Sequence, residues 1–356
     1  MNGIRRASDM TKKIKAVGFM KHLPITEKDS FIDIDIEQPV AKDYELLVEI
    51  DGISVNPVDT FVRRDGQDDT SLSPKIIGWD AVGRVIGKGD QVSLFDIGDR
   101  VWYAGDFTKS GSNAAQQVID ERLVGLAPSN LTPSQAAAIP LVGLTAYEAL
   151  FEQMRLPLTG NEGKVLLIIN GAGGVGSIAI QLAKLAGLTV IATASKPASI
   201  SWVKQLGADY IIDHHQDVVR QVRDLGYQYV DYCLNLNSLD LHFQAISELI
   251  KPDGHIVAIG ENKKPIDLQH LKRKRASFSW EWMFSKSYYQ TDEMITQHEI
   301  LTHLSGLYQA EKLQVITQTT YSPINAQTMR QAHTDIESGL TVGKITLTGW
   351  DEQANY

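Results

Sequence analysis

The chain has 356 residues, which at ~150 residues per domain suggests about two domains. Hydrophobic residues make up 43% and charged residues 22%, with 28 Gly and 12 Pro, a composition that excludes collagen-like, disordered and coiled-coil classes. Its 43 acidic and 34 basic side chains leave a net charge of −9, a poor match for nucleic acid or an anionic membrane. The one cysteine, Cys233, excludes an internal disulfide and any zinc site built on two thiolates.

Met1–Asp9 carries Arg5 and Arg6 but no apolar run before a cleavage site, so it reads as a disordered leader or a remnant of expression rather than a signal peptide. A cytoplasmic protein is expected. The first strand-like segment begins near Lys15, and the first ~140 residues read as short strands, Leu46–Ile53, Ala81–Ile86 and Arg100–Tyr103 among them, broken by Gly, Pro and Asp turns. From Val165 strands and helices alternate. Val165–Ile169, Thr189–Thr193, Tyr210–Asp213, Tyr229–Leu234 and His255–Ile259 read as strands, with helices over Val175–Leu185, Ile200–Leu206, Val218–Leu225 and Leu241–Ile250 between them. That rhythm predicts βαβ units on a buried parallel sheet. A helix after Glu299, the segment Val315–Tyr321, a helix near Ala326–Ser338 and the strand Lys344–Thr348 close the chain.

Val165–Ala183 is free of charge and close to membrane-spanning length, but four glycines in its middle divide it into a strand, a turn and a helix start. Gly171-Ala172-Gly173-Gly174-Val175-Gly176 fits G-x-G-x-x-G, and its position between an apolar strand and a helix is what dinucleotide binding requires. The first glycine is expected to allow the tight turn, the second to let backbone approach a pyrophosphate, and the third to let helix and strand pack closely. The helix N-terminus supplies N–H groups and partial positive charge for the anion. An NAD site usually places Asp or Glu about 20 residues further on. This chain has Thr193-Ala194-Ser195-Lys196 there, and Ser195 with Lys196 is suited to a 2′-phosphate, so NADPH is expected.

With these residues the chain resembles the medium-chain dehydrogenase/reductase superfamily, in its quinone-oxidoreductase branch, and is similar to the proteins called zinc-type alcohol dehydrogenase-like. Asn56-Pro57-Val58-Asp59, Gly78-Trp79-Asp80-Ala81-Val82-Gly83, Gly98-Asp99-Arg100-Val101, Gly143-Leu144-Thr145-Ala146-Tyr147, Trp280-Glu281-Trp282-Met283-Phe284 and Gly343-Lys344-Ile345 carry the likeness from about Ala16 to Gly349. The resemblance implies an α/β protein in two parts. Residues 1–140 and 309–356 would form a mostly β, barrel-like (GroES-like) catalytic domain. Residues 141–308 would form a doubly wound Rossmann domain, through which homodimers pair. The active site would lie in the cleft between the two.

The zinc in the relatives' name is not expected here. Where zinc-dependent relatives place Cys, His, Cys and a nearby Glu, this chain has Asn56, Trp79, Leu141 and Asp80, and the four-cysteine loop is shortened to Ala104–Ala115. His298 and His303 are i and i+5, about 140° apart on a helix, too far round to bind one metal. The resemblance assigns the pocket to Asn56, Asp59, Trp79 and Thr145. Asn56 would donate to a substrate oxygen or cap a turn, and Asp59 would position a water or ribose hydroxyl or begin a helix. Trp79 would line the pocket or fill the core, and Thr145 would bond near the nicotinamide or to its own helix. Lys344 would reach a cofactor phosphate or lie solvated on its strand. Asn235 and Gly260, just past the fourth and fifth strands of the alternation, complete the cofactor set.

Without a Lewis acid the acceptor must already be electrophilic, as quinones and α,β-unsaturated carbonyls are. The reading is therefore a zinc-independent, NADPH-dependent quinone reductase. Enone or 2-alkenal reduction is the alternative, and an NADPH-binding sensor or structural protein is a reading of another class. Lys272-Arg273-Lys274-Arg275 is the one basic run, and it reads as a solvated loop rather than a nucleic-acid contact.

Overall fold

The computed structural model describes residues 12–66 and 73–350; the leader Met1–Asp9 lies outside the described residues. Six parallel strands form the central sheet, in the order Tyr210–Ile212, Thr189–Thr193, Val165–Ile169, Val230–Asn235, Ile250–Ala258 and Ser277–Trp280. This is the doubly wound order, which reverses between Val165–Ile169 and Val230–Asn235 and opens a crevice at their carboxyl ends. The sheet is buried on both faces because its strands are apolar on both. Leu166 and Ile168 join the main core, while Val165, Leu167 and Ile169 join a second core on the opposite face. Cys233 lies in that second core, where burial pushes its thiol far up and keeps it unreactive. The charge-free stretch is indeed a strand followed by the helix Gly174–Leu185. Among the described residues no helix is long and apolar enough to cross a membrane.

The second sheet is mostly antiparallel and draws on both ends of the chain. Its order is Thr317–Tyr321, Lys344–Thr348, Glu45–Val55, Ala81–Lys88, Arg100–Tyr103 and Val124–Leu126, with Gln116–Asp120 also paired to Glu45–Val55. Ile345 faces Val55 and Thr346 faces Ser54 in this register, so the return strand delivers Lys344 to the end of Glu45–Val55. Four strands go beyond the sequence expectation: Gln116–Asp120 and Val124–Leu126 of this sheet, and two others. Ile32–Glu37 pairs with Lys13–Gly18, and Ser277–Trp280 forms one edge of the parallel sheet. The basic run also differs from a plain solvated loop. The Lys274 ammonium donates to the carbonyls of Ser247, Glu248 and Ile250 at 2.9, 2.6 and 2.8 Å, closing the C-terminus of the helix Leu239–Leu249.

On the helix Ala326–Glu337, His333 is fully buried against Phe31, and neither ring nitrogen has a partner among the described residues. Burial, with Arg63 adding repulsion, holds its imidazole well below the usual range, so the folded protein carries it neutral. The unfolded chain takes up a proton below about pH 6.5, so this contribution is complete above that value and is lost as pH falls. Urea titrations are expected to show about 2 kcal/mol less stability at pH about 5 than at neutrality from this residue. His333→Leu should remove that difference, and an unchanged acid slope in the variant would refute it.

Candidate active site

The strand Glu45–Val55 ends where the helix Pro57–Asp65 begins, and Asn56 stands at that junction as the N-cap. Asp80, fully buried, lies opposite. Its Oδ2 accepts from Ser54 Oγ at 2.6 Å, Asn56 Nδ2 at 2.7 Å and Lys344 Nζ at 3.1 Å, and its Oδ1 accepts from the Leu141 N–H at 2.8 Å. Lys344 Nζ also donates to Asn56 Oδ1 at 2.5 Å and to the Val55 carbonyl at 3.2 Å. Its three ammonium hydrogens are matched by three acceptors, so the dry ion pair is hydrogen-bonded throughout.

Lys344 therefore departs from its expected place at a cofactor phosphate. Its stem runs along the glycine turn, where a Cβ on Gly174 would stand 2.9 Å from Lys344 Cδ, while its ammonium turns inward to Asp80. Asn56 keeps one amide hydrogen beyond the one given to Asp80. Asp59 caps the helix start, accepting the Asn56 N–H at 2.7 Å through Oδ2; its Oδ1 is buried without a partner among the described residues. Burial pushes its carboxyl up to about 7, against the opposing pull of the Asn56 N–H and the Lys344 charge. Trp79 is buried, with its indole N–H unpartnered among the described residues, and it stacks on Phe107 at 5.0 Å and meets Phe284 edge-on at 5.8 Å. Thr145 donates to the Leu141 carbonyl of its own helix at 2.8 Å, which is the helix-interior alternative.

The glycine turn joins the strand Val165–Ile169 to the helix Gly174–Leu185 as the motif requires. The residue in the left-handed region is Asn170, at φ +65°, and not Gly171. Gly171 instead serves packing, since a Cβ there would press Ala192 Cβ at 3.0 Å. Gly176 matches its expected role, because a Cβ would stand 2.5 Å from the Gly171 carbonyl. At Gly173 a Cβ would meet nothing among the described residues nearer than Asn170 Nδ2 at 3.9 Å. Ala172 and Val175 complete the turn, and the Gly343 N–H donates to the Ala172 carbonyl at 2.9 Å.

Ser195 and Lys196 follow the neighbouring strand end, Lys196 exposed at the N-cap of Pro197–Gln205. Asn235 is buried at the carboxyl end of Val230–Asn235, with Nδ2 donating to the Asn237 carbonyl at 2.8 Å and Oδ1 unpartnered among the described residues. A Cβ on Gly260 would stand 3.0 Å from that same carbonyl. An open glycine, an orphaned amide oxygen and a helix N-terminus along one carboxyl edge fit a dinucleotide. Sequence reasoning missed Ser54 and Phe107, and also a buried acidic group behind the aromatic wall. There Lys286 Nζ bonds Glu148 at 3.0 Å and Glu152 at 2.8 Å, while burial and then Glu148 push Glu281 up to about 10. Glu281 lies between Trp280 and Trp282, so a motif was visible but the partners came from elsewhere in the chain.

The residues around Asp80 do not fit a zinc ion. Asn56 has both amide ends engaged, Trp79 and Leu141 offer no ligand, and the Lys344 ammonium already occupies the carboxylate. His298 and His303 share the helix Ile295–Gln309 but face different neighbours, the Val124 carbonyl at 2.7 Å and the Tyr147 ring at 5.8 Å.

A doubly wound sheet with a glycine turn, clasped by a barrel-like domain drawn from both chain ends, is the architecture of a two-domain oxidoreductase. The family models agree: the alcohol dehydrogenase GroES-like domain matches residues 42–141 and the zinc-binding dehydrogenase model residues 174–297. A zinc-type alcohol dehydrogenase-like protein of Staphylococcus epidermidis is 40% identical over 94% of this chain and 99% of its own length. The 2-methylene-furan-3-one reductase of Solanum lycopersicum is 35% identical over 61% of this chain and 58% of its own. Among solved structures, a Rhizobium etli CFN 42 protein named as a zinc-dependent alcohol dehydrogenase superimposes with a TM-score of 0.90 at 39% identity, covering 95% of this chain and 99% of that one. The quinone oxidoreductase of Coxiella burnetii gives 0.79 at 27%, covering 95% and 100%. A mycobacterial protein complexed with NADPH gives 0.79 at 25%, covering 95% and 100%. The chain belongs to the medium-chain dehydrogenase/reductase superfamily, in its quinone-oxidoreductase branch.

Proposed function

We propose that the protein is a zinc-independent, NADPH-dependent reductase of conjugated carbonyl acceptors, with quinones the preferred class. The observation that carries this reading is the Asp80–Asn56–Lys344 network standing where zinc ligands would be, beside the stacked Trp79 and Phe107. Such a site offers an aromatic wall and a fixed amide donor, and it suits a flat acceptor that delocalises the charge it gains. NADPH, when bound, supplies the hydride. Gly171–Gly176 and Asn235 would hold its diphosphate and nicotinamide half, Ser195 and Lys196 its 2′-phosphate, and Gly260 would leave room beside it.

Asn56 would give its remaining amide hydrogen to the acceptor oxygen, held in place by Asp80 and Lys344. Asp59, with its carboxyl raised to about 7, would hold the proton that the reduced acceptor takes up. The rate with a quinone is therefore expected to fall as pH rises through about 7, where that acid ionises. Asp59→Asn should flatten the profile and lower the rate by about 10²-fold. A pH profile unchanged in the variant would overturn this role.

The deciding experiment is NADPH oxidation in chelator with a panel of quinones and enones. Faster turnover of quinones supports the proposal. Faster turnover of enones favours the second reading, which the likeness to the tomato reductase supports. No turnover with any acceptor despite tight NADPH binding would leave the binding-only role. A cytoplasmic homodimer, with domains divided at 140/141 and 308/309, completes the proposal.

A further inference from the structure

Aromatic rings run in contact from the buried wall of the site out to solvent. Trp79, 2% exposed, stacks on Phe107, and Phe107 meets Phe284 at 5.2 Å and Trp282 at 5.8 Å between ring centres. Trp282 lies 5.4 Å from Tyr288, which meets Tyr289 edge-on at 4.9 Å. Along that outer run exposure climbs from 41% at Trp282 to 44% at Tyr288 and 70% at Tyr289. Trp79 and Phe107 come from segments beside the antiparallel strands Ala81–Lys88 and Arg100–Tyr103, whereas the outer rings follow Ser277–Trp280 at the edge of the parallel sheet. The ladder therefore joins the two halves of the molecule. Its inner end stands next in sequence to Asp80, the residue that holds Asn56.

Single exposed apolar side chains are ordinary, but a contiguous exposed run continuous with a buried site marks a binding surface. This run is also held rigid from beneath. Lys286 Nζ donates to Glu148 at 3.0 Å, Glu152 at 2.8 Å and Thr296 Oγ1 at 2.7 Å. Gln297 Nε2 donates to the Met283 carbonyl at 2.6 Å, and Ser287 Oγ to the Phe284 carbonyl at 3.1 Å. The buried acidic group thus clamps the segment that presents the rings, so little ordering remains to oppose a ligand laid along them. An acceptor ring against Trp79 and Phe107, with its oxygen at Asn56, would send a substituent past Trp282 and then Tyr288. Rings without fixed charge favour an apolar substituent. A second copy of the chain lying across the surface could cover the outer rings but would gain nothing from the inner ones, whereas a molecule anchored inside meets them in order.

We infer that Trp282, Tyr288 and Tyr289 form an outer subsite for an extended apolar substituent of the acceptor, so that the substrate class is a chain-bearing quinone rather than a bare quinone ring. The inference rests on the quinone reading above and adds to it the part of the acceptor that does not react.

Steady-state kinetics with NADPH and three para-benzoquinones, bearing a methyl, a butyl or an octyl chain on the same ring, test it on the intact protein. The chain leaves the reacting ring nearly unchanged, so its contribution should appear in KM and not in kcat. A fully buried methylene is worth about fourfold, and half-exposed rings should return about twofold for each, so KM should fall by about 10²-fold from methyl to octyl. Trp282→Ala/Tyr288→Ala should reduce that span to less than about tenfold. A second measurement needs no double variant. In fluorotryptophan-labelled protein the Trp282 fluorine signal, assigned by its loss in Trp282→Phe, should move on adding the octyl hydroquinone and stay in place with the methyl one. A KM independent of chain length in the parent, the same dependence in the double variant, or an unmoved Trp282 signal would overturn the inference and leave the quinone reading intact. A double variant that sediments as a monomer where the parent is a dimer, yet keeps the chain dependence, would give the outer rings to a second copy and also overturn it. No turnover of any of the three quinones by the parent would remove the quinone reading, and this inference with it.

Discussion

Lys344→Met is expected to lower folding stability by about 3–5 kcal/mol, because it leaves the Asp80 carboxylate buried with no cation. Asp80 would keep the hydrogen bonds of Ser54, Asn56 and the Leu141 N–H, yet none of these carries the compensating charge. The loss should appear as a shift of the denaturant midpoint, and adding Asp80→Asn should recover part of it, since an amide needs no counter-ion. The Asn56 amide would also lose the partner of its Oδ1, so turnover in the folded fraction should fall by about 10²-fold as its donor hydrogen loses its aim. Lys344→Arg keeps the charge but should not rescue, because the stem passes too close to Gly174 for a wider guanidinium to reach the same acceptors. A midpoint shift equivalent to less than about 1 kcal/mol in Lys344→Met would show that the pair is not what holds this junction together.

Substituting valine at two glycines three residues apart is expected to give opposite results. At Gly173 the new side chain meets only open crevice, so the thermal midpoint should stay within about 0.5 kcal/mol of the parent. The crevice is where a diphosphate would sit against bare backbone, so NADPH affinity should fall more than about tenfold. At Gly176 a Cβ would be driven against the Gly171 carbonyl at 2.5 Å, which parts helix from strand and should cost about 1–3 kcal/mol or more before any ligand is added. Differential scanning with and without NADPH separates the two. Loss of stability at Gly173 together with undiminished NADPH binding would remove the diphosphate from this turn.

The half built on the parallel sheet was legible because its order is local. Apolar runs such as Val165–Ile169 announce buried strands, and the glycine turn announces what joins strand to helix. The clean alternation of Ile32–Glu37 is the signal of a half-buried strand, and its exposure alternates residue by residue in the same way. Ser277–Trp280 gave less signal, being short and only half-buried at the edge of its sheet. The site was legible in its parts and not in its wiring. Asn56, Asp80 and Lys344 could each be singled out, but which acceptor claims the ammonium depends on a register between strands nearly 300 residues apart in sequence.

The return strand Lys344–Thr348 pairs with Glu45–Val55, yet in the order of synthesis it follows the entire six-stranded parallel sheet. While the ribosome is still making that sheet, the emerging amino-terminal half holds Asp80 without its cation and Glu45–Val55 without its neighbour. An unpaired strand edge is a template for wrong partners. The half built on the parallel sheet is therefore free to fold on emergence, whereas the half built on the antiparallel sheet is finished only when residue 344 leaves the tunnel. Chaperone dependence during translation should fall mainly on the segment made first, not on the one made last.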